Sequence, residues 1–425
     1  MGTTIPLGIF GYEGQVIKRI EHDEAAGKVR VVCRRSRRHS LIDPRTGRRG
    51  RINRLLRRTV RDMPIGGSHC EVEIEYAQVF LSPGHVRVEA LPFVAPRTRV
   101  TRRFALMVSG MCRHMPISSV ARHTLLRWET VKEIDAAYLS ETIARPLPQT
   151  LGGIRYLGVD EVARAKGHDY LTLVYDLTPG DICGRILWVK EGRDSKVLRE
   201  FLDALSPECA AGIEAVALDM GPAYIAAVRE SLPEAAIVFD RFHVMQMFNK
   251  VIRNCRRAEF KAAKTLGDLS GQQAIKGSLW LLLSNRSTLK ETDQGRLDLL
   301  LAQNQPLSAL YTLKEQLQRL WHRPASTADM AARLDDWCGM AKAAKITGLA
   351  RFVNTLQSHR TGICAYADHP ITTARLEAGN VSIALLRRRA RGFKDAEYLK
   401  LKILQLNTED QPSFLFPNLA GLATV

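Results

Sequence analysis

Three carboxylates in this chain have the type and spacing for metal-assisted chemistry. Asp160 follows the apolar run Tyr156-Leu157-Gly158-Val159, Asp219 follows Val216-Ala217-Leu218, and Glu377 lies far downstream on a helical stretch. The separations are 59 positions (219 − 160) and 158 positions (377 − 219). Taken singly, either aspartate reads as a cap at a strand-to-loop turn. Taken together, two carboxylates at neighbouring strand ends repel one another and are costly to bury, and a divalent cation between them relieves both problems. Strand ends are also where α/β sheets present their sites. A third oxygen ligand is then needed, and Glu377 is the candidate. Oxygen donors without His or Cys suit Mg²⁺ or Mn²⁺. Two such ions, roughly 3.5–4 Å apart, activate a water or a 3′-hydroxyl and stabilise the leaving oxygen in phosphoryl transfer.

A sheet must hold these groups. From Ile154 the pattern is α/β: a strand Ile154–Val159 ending in Asp160, then strands Asp169–Leu177 and Arg185–Lys190 joined by hairpin-length connections. An amphipathic helix Ser195–Leu205 follows. Next come a buried strand Ala215–Leu218 ending in Asp219, a helix from Pro222 through Ser231, and a buried strand Ala236–Phe239 ending in Asp240. The first and fourth strands are expected to lie side by side. No strand signal appears between about 245 and 368, where the pattern is helical with basic faces (Lys250, Arg253, Arg256, Arg257, Lys261, Lys264). Trp280, Trp321 and Trp337 read there as core anchors rather than base-stacking platforms. A last helix from about Leu376 carries Glu377, Asn380 and Arg387-Arg388-Arg389.

Upstream, residues 102–138 read as three short helices with a tight turn before the third, a helix-turn-helix pattern. Ser118 or Ser119 is the expected cap of the second. Trp128, Val131 and Ile134 are expected to pack inward, leaving Arg127 and Lys132 for DNA. Before them, the stretch Arg30–Arg61 carries a dense row of basic residues, among them Arg34, Arg35, Arg37, Arg38, Arg48, Arg49 and Arg51. Cys70–Val79 and His85–Ala90 alternate as strands do, so a small β-rich basic domain is expected. Such a row of Arg repels itself unless phosphates neutralise it, although a solvated basic arm has the same composition.

The whole chain has 425 residues, enough for two to four domains. Lys and Arg number 62 against 44 Asp and Glu, a formal net charge of +18, which favours a polyanionic partner. No apolar run approaches a bilayer span and no signal peptide is expected, so the expectation is a cytoplasmic protein associated with the nucleoid, without a membrane partner. The eight cysteines include no C-x-x-C pair, which argues for reduced thiols and against a regular zinc ribbon.

Gly158-Val159-Asp160-Glu161 with Lys166-Gly167-His168-Asp169-Tyr170, and Ala217-Leu218-Asp219-Met220-Gly221-Pro222-Ala223-Tyr224, resemble the catalytic domain of ISL3-family insertion-sequence transposases. Asp240-Arg241-Phe242-His243-Val244 resembles that family's D-x-x-H element. Pro370-Ile371-Thr372-Thr373 through Leu376-Glu377-Ala378-Gly379-Asn380 resembles the segment bearing its catalytic Glu, and Arg388-Arg389-Ala390-Arg391-Gly392-Phe393 the basic run that follows. The likeness runs in order over roughly 102–405. It departs from the family at the N-terminus, where Cys33-Arg34-Arg35-Ser36 keeps one cysteine of a zinc pair and Val79–His85 has none. Zn²⁺ is therefore not expected, with an irregular site of Cys33, His39, Cys70 and His85 as the alternative. Thr373 and Ala374 stand where Asn and a small residue are more usual.

The resemblance implies a multidomain α/β protein: an RNase H-like catalytic domain interrupted by an all-helical insertion, preceded by a small β-rich basic domain and a helix-turn-helix. The implied boundaries are 1–100 for the basic domain, 101–145 for the helix-turn-helix, 154–245 and 369–410 for the catalytic core, 246–368 for the insertion and 411–425 for a tail. It implies a DDE triad of Asp160, Asp219 and Glu377 holding two Mg²⁺ or Mn²⁺ ions, supported by Asp240, His243 and Asn380. Arg387, Arg388 and Arg389 would grip phosphates. The implied activity is a DNA transposase that cleaves the ends of an insertion sequence and joins the 3′-hydroxyls to target DNA. Double-stranded DNA, as terminal inverted repeats and target, would be its partner, with a homodimer or larger assembly pairing two ends. The rivals are an RNase H-like structure-specific nuclease and a catalytically silent, transposase-derived DNA-binding regulator.

Overall fold

In the computed structural model, which describes residues 10–39, 50–82, 85–143, 152–165, 169–180 and 184–406, the chain divides into two units. One comprises Met1–Pro146 with Leu385–Val425, the other Leu147–Ala384.

The first unit begins with a sheet of β1 (Gln15–Asp23), β2 (Lys28–Arg35), β3 (Arg51–Ile65), β4 (Ser68–Ser82) and β5 (His85–Val88), in the order β1-β2-β4-β3 with β5 also pairing β4. All pairs are antiparallel except β2 with β4. Gly66 and Gly67, at φ +56° and +79°, form the two-residue turn between β3 and β4, whose flanking Ile65 and Ser68 pair. Two successive positive φ values match the strand twist and favour glycine. Val31, Cys33, Val60, Cys70, Val72 and Ile74 build the core on one face. Among its described residues, the basic stretch is thus largely strand rather than arm. Arg51 to Leu55 are all exposed, so no alternation marked β3 in the sequence.

The three helices are α1 (Arg102–His114), α2 (Ile117–Thr124) and α3 (Trp128–Thr142). Thr101 caps α1 by accepting from the Phe104 amide. Pro116, not Ser118 or Ser119, occupies the cap position of α2, and Leu125 makes the tight turn at φ +55°. Val131 and Ile134 pack inward as expected, but Trp128 is 53% exposed. It starts α3 and points away from the core that the next two turns bury. Buried Asp62 joins the sheet to α1: Tyr12 and Thr101 each donate a hydroxyl to it at 2.5 Å, and the Arg103 guanidinium pairs with both oxygens.

The second unit is built on β6 (Tyr156–Ala165), β7 (Asp169–Asp176), β8 (Arg185–Glu191), α4 (Ser195–Leu202), α5 (Pro207–Gly212), β9 (Ala215–Leu218), α6 (Pro222–Ser231) and β10 (Ala236–Phe239). The sheet order is β10-β9-β6-β7-β8. The first three strands run antiparallel to their neighbours, and β9 and β10 are added in parallel through helical crossovers. Helices α7 (Arg241–Thr265), α8 (Leu269–Ile275), α9 (Leu279–Leu283), α10 (Glu291–Gln303), α11 (Gln305–Arg319), α12 (Thr327–Ala343), α13 (Leu349–Ser358) and α14 (Arg360–Cys364) follow. They share one continuous apolar core with the sheet, running from Ile154 to Cys364. Phe248, Trp337 and Phe352 meet there at ring separations of 5.3–5.8 Å. Trp321 is buried too, but Trp280 is 73% exposed and anchors nothing, against expectation: α9 is short and buries Leu281 and Leu282 instead.

Helix α15 (Ala374–Arg389) begins in the second unit and ends in the first. α16 (Ala396–Gln405) belongs to the first unit, where its Tyr398 and Lys402 reach buried Asp135 of α3 at 2.5 and 3.1 Å. Ser109 of α1 donates to the other oxygen of Asp135 at 2.6 Å. The expected tail, 411–425, lies outside the described residues, as do Lys166, Gly167 and His168. No helix among the described residues is long and apolar enough to cross a membrane.

Candidate active site

Asp160 is not the end of its strand. β6 runs five residues further, to Ala165, paired with β7 along its length. On its other edge β6 pairs β9 only at Tyr156–Gly158, opposite Ala215–Ala217. Continuing that register by two residues sets Asp160 level with Asp219. The two carboxylates therefore stand where the parallel pairing stops. The Asp219 carboxylate turns back to accept from the Gly221 amide at 2.9 Å. A Cβ at Gly221 would lie 2.7 Å from that oxygen, so only glycine fits the turn without displacing it.

Gly158, Asp160, Leu173 and Tyr175 share one face of the β6–β7 pair, because Gly158 opposes Tyr175 and Asp160 opposes Leu173. α15 lies on that face through Leu376, Gly379 and Asn380, which helical spacing puts on one side. A Cβ at Gly158 would meet Leu376 Cδ1 at 2.9 Å, and one at Gly379 would meet the Tyr175 hydroxyl at 2.9 Å. Asn380 Nδ2 donates to Asp160 Oδ2 at 2.6 Å, while Asp160 Oδ1 accepts from the Glu161 amide at 2.7 Å. Glu377, one turn before Asn380, is exposed in the first turn of α15, where the helix dipole favours a carboxylate.

The start of α15 is tied to the start of α7. Asp240 caps α7 by accepting from the Phe242 amide at 2.9 Å, and the same oxygen accepts the Thr373 hydroxyl at 2.6 Å. The Thr373 carbonyl in turn accepts from the Leu376 and Glu377 amides. His243 Nδ1 stands 3.3 Å from the other Asp240 oxygen, near enough for an ion pair but out of line for a hydrogen bond. Asp240 is thus both the ordinary helix cap and a support for the Glu377 segment.

Burial raises the Asp160 carboxyl above its ordinary value, and the Asp219 charge adds to this, against the Asn380 bond and the His243 charge. Burial and the charges of Asp240 and Asp160 raise Glu377, against His243. Burial opposes ionisation of Asp240 too, but the nearby His243 and the bonds from Thr373 and the Phe242 amide outweigh it and hold the carboxyl low. His243 is raised, first by Asp240 and then by the charges of Asp160 and Asp219.

Sequence reasoning passed over Glu161. It points to the opposite face from Asp160, half-buried, and is raised first by burial and then by Asp219. Its adjacency to Asp160 was the available signal. It also passed over the contact of Tyr175 with Gly379, for which a lone glycine in a helical run was the only hint.

Asp160, Asp219 and Glu377 are hard oxygen donors, and the Asp219 charge raises Asp160 while the Asp160 charge raises Glu377, a crowding that suits a divalent cation. Among the described residues, however, no three His, Cys, Asp or Glu side chains stand close enough to hold an ion together.

The basic candidates divide. Arg34, Arg37, Arg38, Arg51, Arg127 and Arg388 are exposed and Arg387 is half-buried. Arg35 is not available to DNA: it is buried, donates to both Glu89 oxygens at 2.9 Å and bonds the Ser36 and His39 carbonyls. Lys132 pairs with Asp395 at 2.5 Å, and Arg389 donates to the Arg113 and His114 carbonyls at the end of α1. Arg48 and Arg49 lie outside the described residues. Cys33 and Cys70 are buried in the β core, where burial pushes both thiols up to about 12.

Two family models and several known proteins match this chain. The model of a family described as "Transposase" matches residues 157–403, and that of the "Helix-turn-helix domain of transposase family ISL3" matches 89–139. The chain is 33% identical over 397 residues to the transposase for insertion sequence element IS1001 of Bordetella parapertussis, covering 92% of this chain and 95% of that protein. It is 27% identical over 403 residues to the transposase for insertion sequence element IS1557 of Mycobacterium tuberculosis, covering 89% of each.

Proposed function

The chain belongs to the ISL3 family of transposases, and on that premise we propose that Asp160, Asp219 and Glu377 are the carboxylates with which it cleaves and joins DNA. The observation that carries this reading is the register: Asp160 on β6 stands level with Asp219 just past the end of adjacent β9, and the helix bearing Glu377 is bonded to Asp160 through Asn380. Three antiparallel strands extended by two parallel ones are the arrangement expected of an RNase H-like core, with α7 to α14 inserted before α15.

Asp160, Asp219 and Glu377 would hold Mg²⁺ or Mn²⁺. Two such ions, when bound, supply Lewis-acid activation of the attacking oxygen and charge stabilisation on the leaving one. The chain's own residues prepare the site. Asn380 and the Glu161 amide fix the Asp160 carboxylate, leaving further lone pairs on both oxygens. The Gly221 turn orients Asp219. Thr373 and Asp240 hold the first turn of α15, and with it Glu377. His243, raised towards its cationic form, balances a site otherwise rich in negative charge.

The helix-turn-helix and the exposed arginines of the β sheet would read and grip the element's terminal inverted repeats, with an assembly of two or more chains pairing two ends. The test is incubation of the protein with element-end DNA, target plasmid and Mg²⁺. Strand-joined products that vanish with Asp160→Asn, while end binding persists, are expected. Cutting without joined products would point to a nuclease. End binding without cutting by the wild-type protein would point to a silent regulator.

A further inference from the structure

Two buried polar atoms beside Asp160 lack partners, and their chemistry is complementary. The Tyr175 hydroxyl, in a side chain that is 0% exposed, has no hydrogen-bond partner, and neither does Asn380 Oδ1. One is a donor and the other an acceptor. Burying either unpaired costs free energy, and Phe in place of Tyr175 would fill the same space without that cost. The helix above is shaped to the hydroxyl: residue 379 is Gly, and any Cβ there would lie 2.9 Å from the Tyr175 oxygen. Asn380 follows Gly379 directly, and its other amide atom already holds Asp160 Oδ2 at 2.6 Å. Strand register makes Tyr175 a diagonal neighbour of Asp160 on the same face.

We propose that Tyr175 is a positioning residue that donates its hydroxyl to Asn380 Oδ1 when Asp160 takes up a divalent cation, so that Tyr175, Asn380 and Asp160 form one hydrogen-bonded relay. This rests on the reading of Asp160 as a metal-binding carboxylate. A donor on the amide oxygen polarises the amide and strengthens its bond to Asp160. The relay also fixes the carboxylate rotamer, so the oxygens facing the cation are pre-aimed. A small settling of α15 onto the sheet closes it, and Gly379 permits that approach.

The test uses the full-length protein and reads Mn²⁺ binding directly, from the spin-resonance signal of the free ion without DNA, alongside cleavage of element-end DNA. Tyr175→Phe is expected to weaken Mn²⁺ binding about tenfold, the scale of losing a group that orients a metal ligand. Its melting temperature should not fall, and DNA-end binding should be unchanged. Asn380→Ala should weaken binding at least as much, and the double variant should be no worse than Asn380→Ala alone. Gly379→Ala, which wedges a methyl against the hydroxyl, should reproduce the loss. Wild-type Mn²⁺ affinity in Tyr175→Phe, or additive losses in the double variant, would overturn the relay while Asp160→Asn still abolishes binding. No Mn²⁺ binding by the wild-type protein would overturn the metal-site reading and the relay with it.

Discussion

Asn380 donates its side-chain amide to the carboxylate of Asp160 across 2.6 Å, although 220 positions separate the two residues. The bond joins the helix that carries Glu377 to the central strand of the sheet. With the Thr373–Asp240 bond at the helix start, it sets where Glu377 stands. The position of Glu377 is therefore a property of one helix seated on one strand pair.

If that seating serves catalysis, removing the charge of Glu377 alone should be as damaging as removing a strand carboxylate. Glu377→Gln should lower strand cleavage by on the order of 10³-fold or more, as for members of a catalytic unit. Because Glu377 is exposed, its melting temperature should change little. Cleavage and melting measured on one preparation check this. Cleavage within tenfold of wild type would remove Glu377 from the triad.

Two carboxylates, buried Asp62 and half-buried Asp160, should respond to pH with opposite signs. Burial opposes ionisation of Asp62, but its bonds with Arg103, Thr101 and Tyr12 outweigh this and lower its pKa. Its contribution to stability is thus present above its unfolded pKa and lost as pH falls through the folded one. Asp160 is raised, first by burial, so its ionisation weakens the metal-free protein as pH rises through the acid range. Asp62→Asn should therefore cost about 1.5–3 kcal/mol at neutral pH, the worth of hydrogen bonds to a charged group, and less once pH falls below the ordinary carboxylate value of 3.8. Asp160→Asn should stabilise the metal-free protein at pH 7 and lose that advantage near pH 4. Denaturant melts of both variants, from neutral pH down through the acid range, test the signs.

Buried Asp135 holds Tyr398 and Lys402 of α16 and Ser109 of α1. Asp135→Ala leaves Lys402 buried without its counter-charge and should destabilise its unit by about 3–5 kcal/mol. Asp135→Asn combined with Lys402→Met removes both charges and should cost clearly less. Equal midpoints of unfolding for the single and double variants would refute a charge-pair role.

Arg127 and Lys132 lie five residues apart on and before α3 but should behave differently. Arg127 is exposed, and Arg127→Ala should lower the slope of log affinity against log salt by about 1 on element-end DNA. Lys132 is engaged by Asp395. Lys132→Ala should leave that slope unchanged and cost about 0.2–1 kcal/mol of stability, as a partly exposed ion pair does. Salt titrations of binding separate the two.

Short-range patterning made much of this protein legible from its residues. Apolar runs ending in Asp219 and Asp240 are strands that end there, because a buried run followed by a carboxylate marks where pairing stops and solvent or a cation begins. The three helices before residue 143 were visible for the same local reason. Local pattern failed where burial is uneven. Arg51 to Leu55 are exposed throughout, so β3 carries no alternation, and Trp128 and Trp280 look like core residues by type alone. Asp160 follows an apolar run, yet its strand continues because β7 still pairs with it after β9 has stopped. Only the tertiary structure decided that Arg35 serves Glu89, that Thr373 reaches Asp240, and that Tyr175 lies under Gly379 beside Asn380 and Asp160. Those partners are 54 to 220 positions apart. Their meeting depends on how helices close over a sheet, which no periodicity along the chain records.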